Sequence, residues 1–123
     1  METGLTYTST VTVSEENIAA TMGSGDLEVF ATPAMVALME NAAMNAVVGE
    51  LPEGATTVGA MMDTTHIKPS AMGDTVSATA VLKEVEGRKL TFEVQAKDSK
   101  GVIGEGTHVR YIVDREKFMS KLA

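Results

Sequence analysis

The sequence predicts an α+β fold in which one long apolar helix lies across the concave face of a single five-stranded antiparallel sheet. Three observations lead there. The stretch from Pro33 to Val48 is apolar and carries one charge, at Glu40. Four strand-like runs follow it, joined largely by links short enough for hairpins. Neither a βαβ alternation nor an internal repeat is present, so a parallel sheet or a solenoid has no support.

The elements follow in order. Thr6 to Val13 has a period of two, with Tyr7, Ser9, Val11 and Val13 on one face and Thr6, Thr8, Thr10 and Thr12 on the other, an opening strand. Ser14, Glu15, Glu16 and Asn17 have a helix-start composition leading into Ile18, Ala19, Ala20 and Met22, and Gly23-Ser24-Gly25-Asp26 breaks that helix. Leu27 to Phe30 is a short apolar link. Thr32 offers a side-chain cap and Pro33 suits the first helical position of the long helix, which Gly49 and Pro52-Glu53-Gly54 stop. Thr56 to Lys68 reads as one long strand ended by Pro69. Thr75 to Glu84 alternates Val76, Ala78, Ala80 and Leu82 against Ser77, Thr79 and Val81. Glu86-Gly87-Arg88 turns the chain into Leu90, Phe92, Val94 and Ala96, and Asp98-Ser99-Lys100-Gly101 turns it again. Val102 to Val113 is the last strand, with Gly104 and Gly106 inside it, and Asp114 starts a short terminal helix.

The 123 residues (12.9 kDa) make one domain, 1–123, large enough to bury roughly 65% of its unfolded surface. Seventeen acidic against ten basic residues give a net charge of −7, and no Lys/Arg run exceeds two residues. That argues against a nucleic-acid partner or an anionic membrane surface. Without cysteine there is no disulfide or thiolate chemistry, and two histidines are poor material for a structural zinc site, so no metal is expected. No basic segment followed by an apolar stretch opens the chain, and no run approaches the roughly 20 residues that span a bilayer. A cytoplasmic location is the expectation. Nine methionines suit either an ordinary core or an adaptable apolar cavity.

Glu40 is the residue to ask about first. At about 100° per residue it shares an apolar arc with Val36, Met44 and Val47, on what reads as a core-facing surface, while Asn41 and Asn45 mark the polar side. A carboxylate so placed must be paired, protonated or used. Thr32 lies two turns earlier, about 12 Å along the axis, where its hydroxyl can cap the helix or join the N-terminal amides in facing a developing oxyanion. His66 closes the long strand and is the natural proton carrier if that strand end meets a helix. Singly, each has a plain structural explanation: a cap, a solvated or ion-paired acid, a packed histidine.

The wording of these segments is more specific. The chain resembles the hot-dog-fold acyl-CoA thioesterases, most closely the fluoroacetyl-CoA thioesterase-like group, over about Leu5 to Phe118. The resemblance is densest in Val29 to Glu40, Thr57-Val58-Gly59, Thr65-His66, Val85 to Leu90 and Gly104 to Arg110. The eight-residue step from Thr32 to Glu40 and the 26-residue step on to His66 carry most of it. The resemblance implies a long helix wrapped by an antiparallel sheet, in a homodimer whose two active sites lie between subunits; a tetramer is the other assembly open to it. It implies Thr32, Glu40 and His66 as the catalytic set, Gly59 on the strand facing the acyl pocket, and Arg110 near the pantetheine and nucleotide entrance. Phe30 and Ile67 border positions that shape the acyl pocket, and Arg88 is a further cation available to CoA.

The implied reaction is hydrolysis of an acyl-CoA thioester, with Glu40 as nucleophile or general base, His66 as acid/base and Thr32 orienting. No cofactor is needed, CoA being part of the substrate. In the fluoroacetate enzyme an aromatic lid helps select the fluorinated acyl group. The three Phe, two Tyr and no Trp of this chain do not match it, so only thioester hydrolysis carries over. A non-catalytic acyl-CoA or small-ligand binding module on the same fold is the competing reading. A hot-dog dehydratase stands further off, because its differently spaced helix motif is absent.

Overall fold

The computed structural model describes residues Met1 to Ala123. In chain order the elements are β1 (Thr6–Thr12), α1 (Ala19–Met22), α2 (Thr32–Val47, extended by a 3₁₀ turn Val48–Glu50), β2 (Ala55–Thr64), β3 (Thr75–Glu86), β4 (Lys89–Asp98), β5 (Gly101–Asp114) and α3 (Arg115–Ser120). The strands form one sheet in the order β1-β3-β4-β5-β2, every neighbour antiparallel, with α2 in its curl. This is the hot-dog arrangement that the resemblance implies.

The strand alternation puts Val76, Ala78, Ala80 and Leu82 of β3 and Leu90, Phe92, Val94 and Ala96 of β4 on the inner face, all essentially buried. Against them α2 buries Met35, Met39, Ala42, Ala43 and Val47, a stripe at helical spacing. Each large side chain in this layer contributes about 1.5–3 kcal/mol of burial. The facing alanines keep the layers close, and α2 lies chiefly over β1 and β3. It covers the β5–β2 side less, and that is where its Glu40 flank looks out.

Four details depart from the sequence reading. Glu40 is not core-facing: Met39 and Ala43 take the inward direction, and Glu40 sits half-buried on the flank with Val36 and Met44. The long helix begins at Thr32 rather than Pro33, with Ala31 as an extended cap residue and no side-chain capping bond. The hydroxyl of Thr32 is spent elsewhere. The long strand stops at Thr64 instead of Lys68, after a bulge between Gly59 and Met61, although Thr65 and Ile67 still donate to the carbonyls of Glu105 (3.1 Å) and Ile103 (2.7 Å). Finally, Leu27 to Phe30 makes isolated bridges, Phe30 with Ile18 and Val29 with Ala71, that tie the head of α2 to neighbouring chain.

The glycines of β5 explain how the end of β2 and the residue after it come so close. A Cβ on Gly106 would strike the Asp63 carbonyl and Thr64, and one on Gly104 would strike the Thr65 carbonyl and Met35. Only bare backbone there lets the chain press down and deliver His66 to the head of α2. At the other end, the Asp114 side chain accepts from the Lys117 amide at 3.0 Å and caps α3, as its position in the sequence suggests. No helix is long and apolar enough to cross a membrane.

Candidate active site

Two groups of polar side chains lie along α2. At its head, Thr32 Oγ1 and His66 Nδ1 are 2.7 Å apart, one donating to the other according to the ring tautomer. The opposite ring nitrogen, Nε2, is inaccessible to solvent and has no hydrogen-bond partner within the chain. Burial lowers the proton affinity of this ring, and the Lys68 backbone offsets that only in part. A neutral imidazole with one nitrogen anchored and one free is suited to accept or deliver a proton. Thr32 and His66 share a cavity of about 230 Å³ with Phe30, Ile67, Lys68 and Pro69 among its walls.

The second group surrounds Glu40. Its Oε2 lies 4.0 Å from Nη1 of Arg110, with the Glu40 side chain 43% exposed and that of Arg110 only 8%. A Cβ built on Gly59 would sit 2.6 Å from the same Oε2, so the carboxylate occupies the space that a side chain would take. Arg110 is held from behind: Nε donates to Thr57 Oγ1 (2.8 Å) and Nη2 to the Thr57 carbonyl (3.0 Å). Its Nη1 lies 3.3 Å from His108 Nε2, and His108 Nδ1 lies 2.7 Å from the Met61 carbonyl. Burial weakens the hold of both Arg110 and His108 on their protons, opposed in each by the Glu40 charge.

The residues singled out in the sequence thus divide. Thr32, His66, Phe30 and Ile67 meet at one end of α2; Glu40, Gly59 and Arg110 meet two turns further on. Phe30 is almost wholly buried, whereas Ile67 is exposed; both line the cavity. Arg110 is buried, with three of its N–H donors taken by Thr57 and His108. Arg88 belongs to neither group: it is exposed in the turn between β3 and β4, with no side-chain hydrogen bond or ion pair, and its carbonyl accepts from Ile112. Sequence reasoning passed over Thr57 and His108. Period-two alternation in β5 does put His108 on the same face as Arg110, and that was the signal that could have found it.

Comparison with known proteins adds to this geometry. Residues 13–116 match the sequence profile of a family described as fluoroacetyl-CoA-specific thioesterase (FlK). The fluoroacetyl-CoA thioesterase of Streptantibioticus cattleyicolor is 43% identical over 95 residues, which are 77% of this chain and 68% of that one. The solved structure of the fluoroacetyl-CoA thioesterase FlK superposes with a TM-score of 0.92 at 35% identity, covering 99% of this chain and 95% of its own. A hot-dog-like protein from Thermanaerovibrio acidaminovorans superposes with a TM-score of 0.90 at 25% identity, covering 99% and 90%.

Proposed function

The chain belongs to the fluoroacetyl-CoA-specific thioesterase family, and from that premise we propose that it hydrolyses an acyl-CoA thioester to free acid and CoA. The observation that carries this reading is the pairing of Thr32 with a His66 whose second nitrogen is free, at the head of the helix that also bears the Arg110-facing Glu40.

Glu40 acts on the thioester in one of two ways. As a general base it takes a proton from water, the water oxygen adds to the carbonyl carbon, and the C–S bond breaks. As a nucleophile its own oxygen adds, the thiolate leaves, and water then cleaves the resulting acyl anhydride. His66 is a relay. Neutral at the outset, it accepts the proton given up by water, through Glu40 in the first course or directly from the water that cleaves the anhydride in the second, and passes it to the sulfur. The Thr32 hydroxyl holds the ring in place. Backbone amides beside Gly59 stabilise the oxyanion. Lys68, in the cavity wall, and exposed Arg88 are the cations we assign to CoA phosphates; Arg110, buried and bonded to Thr57 and His108, acts on Glu40.

Eight residues of α2 separate Thr32 from Glu40, about 12 Å of rise, too far for both to touch one reacting carbonyl within a single chain. We therefore read the protein as a homodimer in which Thr32 and His66 of one subunit face Glu40 of the other. Exposed Gly59 and the free edge of β2 suit such a junction.

Thiol release from a panel of short, branched, aromatic and long acyl-CoAs tests both parts. Wild type turns over at least one of them, and Glu40→Ala and His66→Ala each lose about 10²-fold or more in kcat while staying folded. Mixing the two inactive variants under exchange conditions restores activity, because one composite site then has both native residues. Binding of the esters without turnover by wild type moves the non-catalytic binding module to first place. Turnover by wild type with no recovery on mixing refutes the interfacial site alone.

A further inference from the structure

His108 occupies a core position. It is 1% exposed, directly across the β4–β5 pairing from Phe92, whose ring centroid lies 6.1 Å away. An imidazole in such a place costs stability unless its nitrogens are bonded. Both are, and the partners differ in kind. The Met61 carbonyl can only accept, so Nδ1 carries the proton; Nε2 is then a lone pair, and Arg110 Nη1 donates to it. The bulge between Gly59 and Met61 breaks the β2–β5 ladder at this point and leaves the Met61 carbonyl to the histidine.

We propose that His108 is a positioning residue for thioester hydrolysis: anchored on the Met61 carbonyl, it holds Arg110 Nη1 in the direction of Glu40. The proposal rests on the reading above, in which Glu40 is the reactive carboxylate. Thr57 fixes the guanidinium through Nε and Nη2, along one edge of the plane. The other edge has only His108, because Glu40 stands 4.0 Å off. Without that third point the guanidinium can pivot on its Thr57 bonds, and its 4.0 Å approach to Glu40 loosens. The groups facing the ring are Arg110 of β5, Glu40 of α2, the Met61 carbonyl of β2 and Phe92 of β4. Burial and the Arg110 charge keep the ring neutral against the pull of Met61 and Glu40, as its acceptor role demands.

The test compares His108→Phe, which keeps an aromatic ring and removes the acceptor, with His108→Gln, whose amide oxygen can accept from Arg110. On the best acyl-CoA, His108→Phe lowers kcat by about 10-fold or more and leaves KM within about 2-fold, the pattern for a contact made mainly in the transition state. His108→Gln recovers most of the lost kcat. In an Arg110→Met background His108→Phe costs little further, since both changes remove the same contact. Nitrogen-15 NMR of the wild-type protein reads the tautomer and the Arg110 side-chain resonances with no substrate present. An unchanged kcat in His108→Phe, equal losses with Phe and Gln, or losses that add to those of Arg110→Met overturn the proposal. So does a His108 ring protonated at Nε2, which also decides the matter if the Phe variant does not fold. Absence of wild-type turnover removes the hydrolase reading and the catalytic half of this one, while the NMR still reports on the anchoring itself.

Discussion

Glu40 reaches its position because Gly59 has no side chain. The strand residue is exposed and its backbone is unstrained, so nothing in the fold of β2 demands glycine; the carboxylate does. Gly59→Ala sets a methyl group 2.6 Å from Oε2 and pushes the acid aside. Melting temperature should move by no more than a few degrees, whereas kcat should fall about 10- to 100-fold, the scale of a misplacement near 1 Å. Parallel thermal melts and saturating-substrate kinetics check this, and an Ala variant with native kcat would remove the steric account. The same scale shows what a sequence hides. Thr32 precedes proline at the head of a helix and reads as a cap, yet its hydroxyl pairs with His66, a contact that spans 34 residues and has no local signature.

Strands and helices are set by alternation and helical spacing, which is why β3, β4 and the extent of α2 match what the sequence predicts, although α2 buries the stripe of Met35, Met39 and Ala43 in place of the Glu40 arc. Where an element ends is decided by its neighbour. The strand expected to run to Lys68 ends at Thr64, where its last residues lie on the bare backbone of Gly106 and the chain just beyond, at Thr65, lies on that of Gly104. Gly106→Ala brings Cβ against the Asp63 carbonyl and the Thr64 Cα, backbone atoms that cannot swing away as a flexible side chain can. We expect a loss of about 2–4 kcal/mol in urea unfolding, with activity reduced because His66 is carried by the displaced segment. A loss below about 0.5 kcal/mol would mean that β2 and β5 separate more readily than this packing implies.

Across the whole molecule, both histidines are held neutral by burial, their proton affinities lowered from an ordinary value of 6.5. The unfolded chain therefore binds protons near that pH that the folded chain refuses. Unfolding takes up protons, so stability rises with pH through this window and is lost as pH falls below about 6.5. Melting temperature should be nearly level above about pH 7.5 and decline towards pH 5, with a shallower decline in His108→Gln. Asp98 adds to the loss only in stronger acid. Desolvation pushes its carboxyl up, but bonds from the Ser70 hydroxyl and the Lys100 and Gly101 backbone, with the Lys100 charge, together hold it below 3.8. A melting temperature independent of pH between about 5 and 7 would contradict the account of the histidines.

The fold class, the apolar helix, four of the strands nearly to their ends and the candidate site residues were legible in the sequence, because each rests on spacing within a few residues. So was the family resemblance, carried by the order of Thr32, Glu40 and His66. What the sequence could not decide is which of these side chains meet. Thr32 pairs with His66 instead of capping its helix, Glu40 stands at the flank instead of the core, and Arg110 faces inward on a Thr57–His108 mount. Each of those outcomes depends on the register between β2 and β5, on one bulge, and on how closely two backbones approach across some 40 to 50 residues of chain. Local periodicity carries no information about distances of that kind; only the packed tertiary structure sets them.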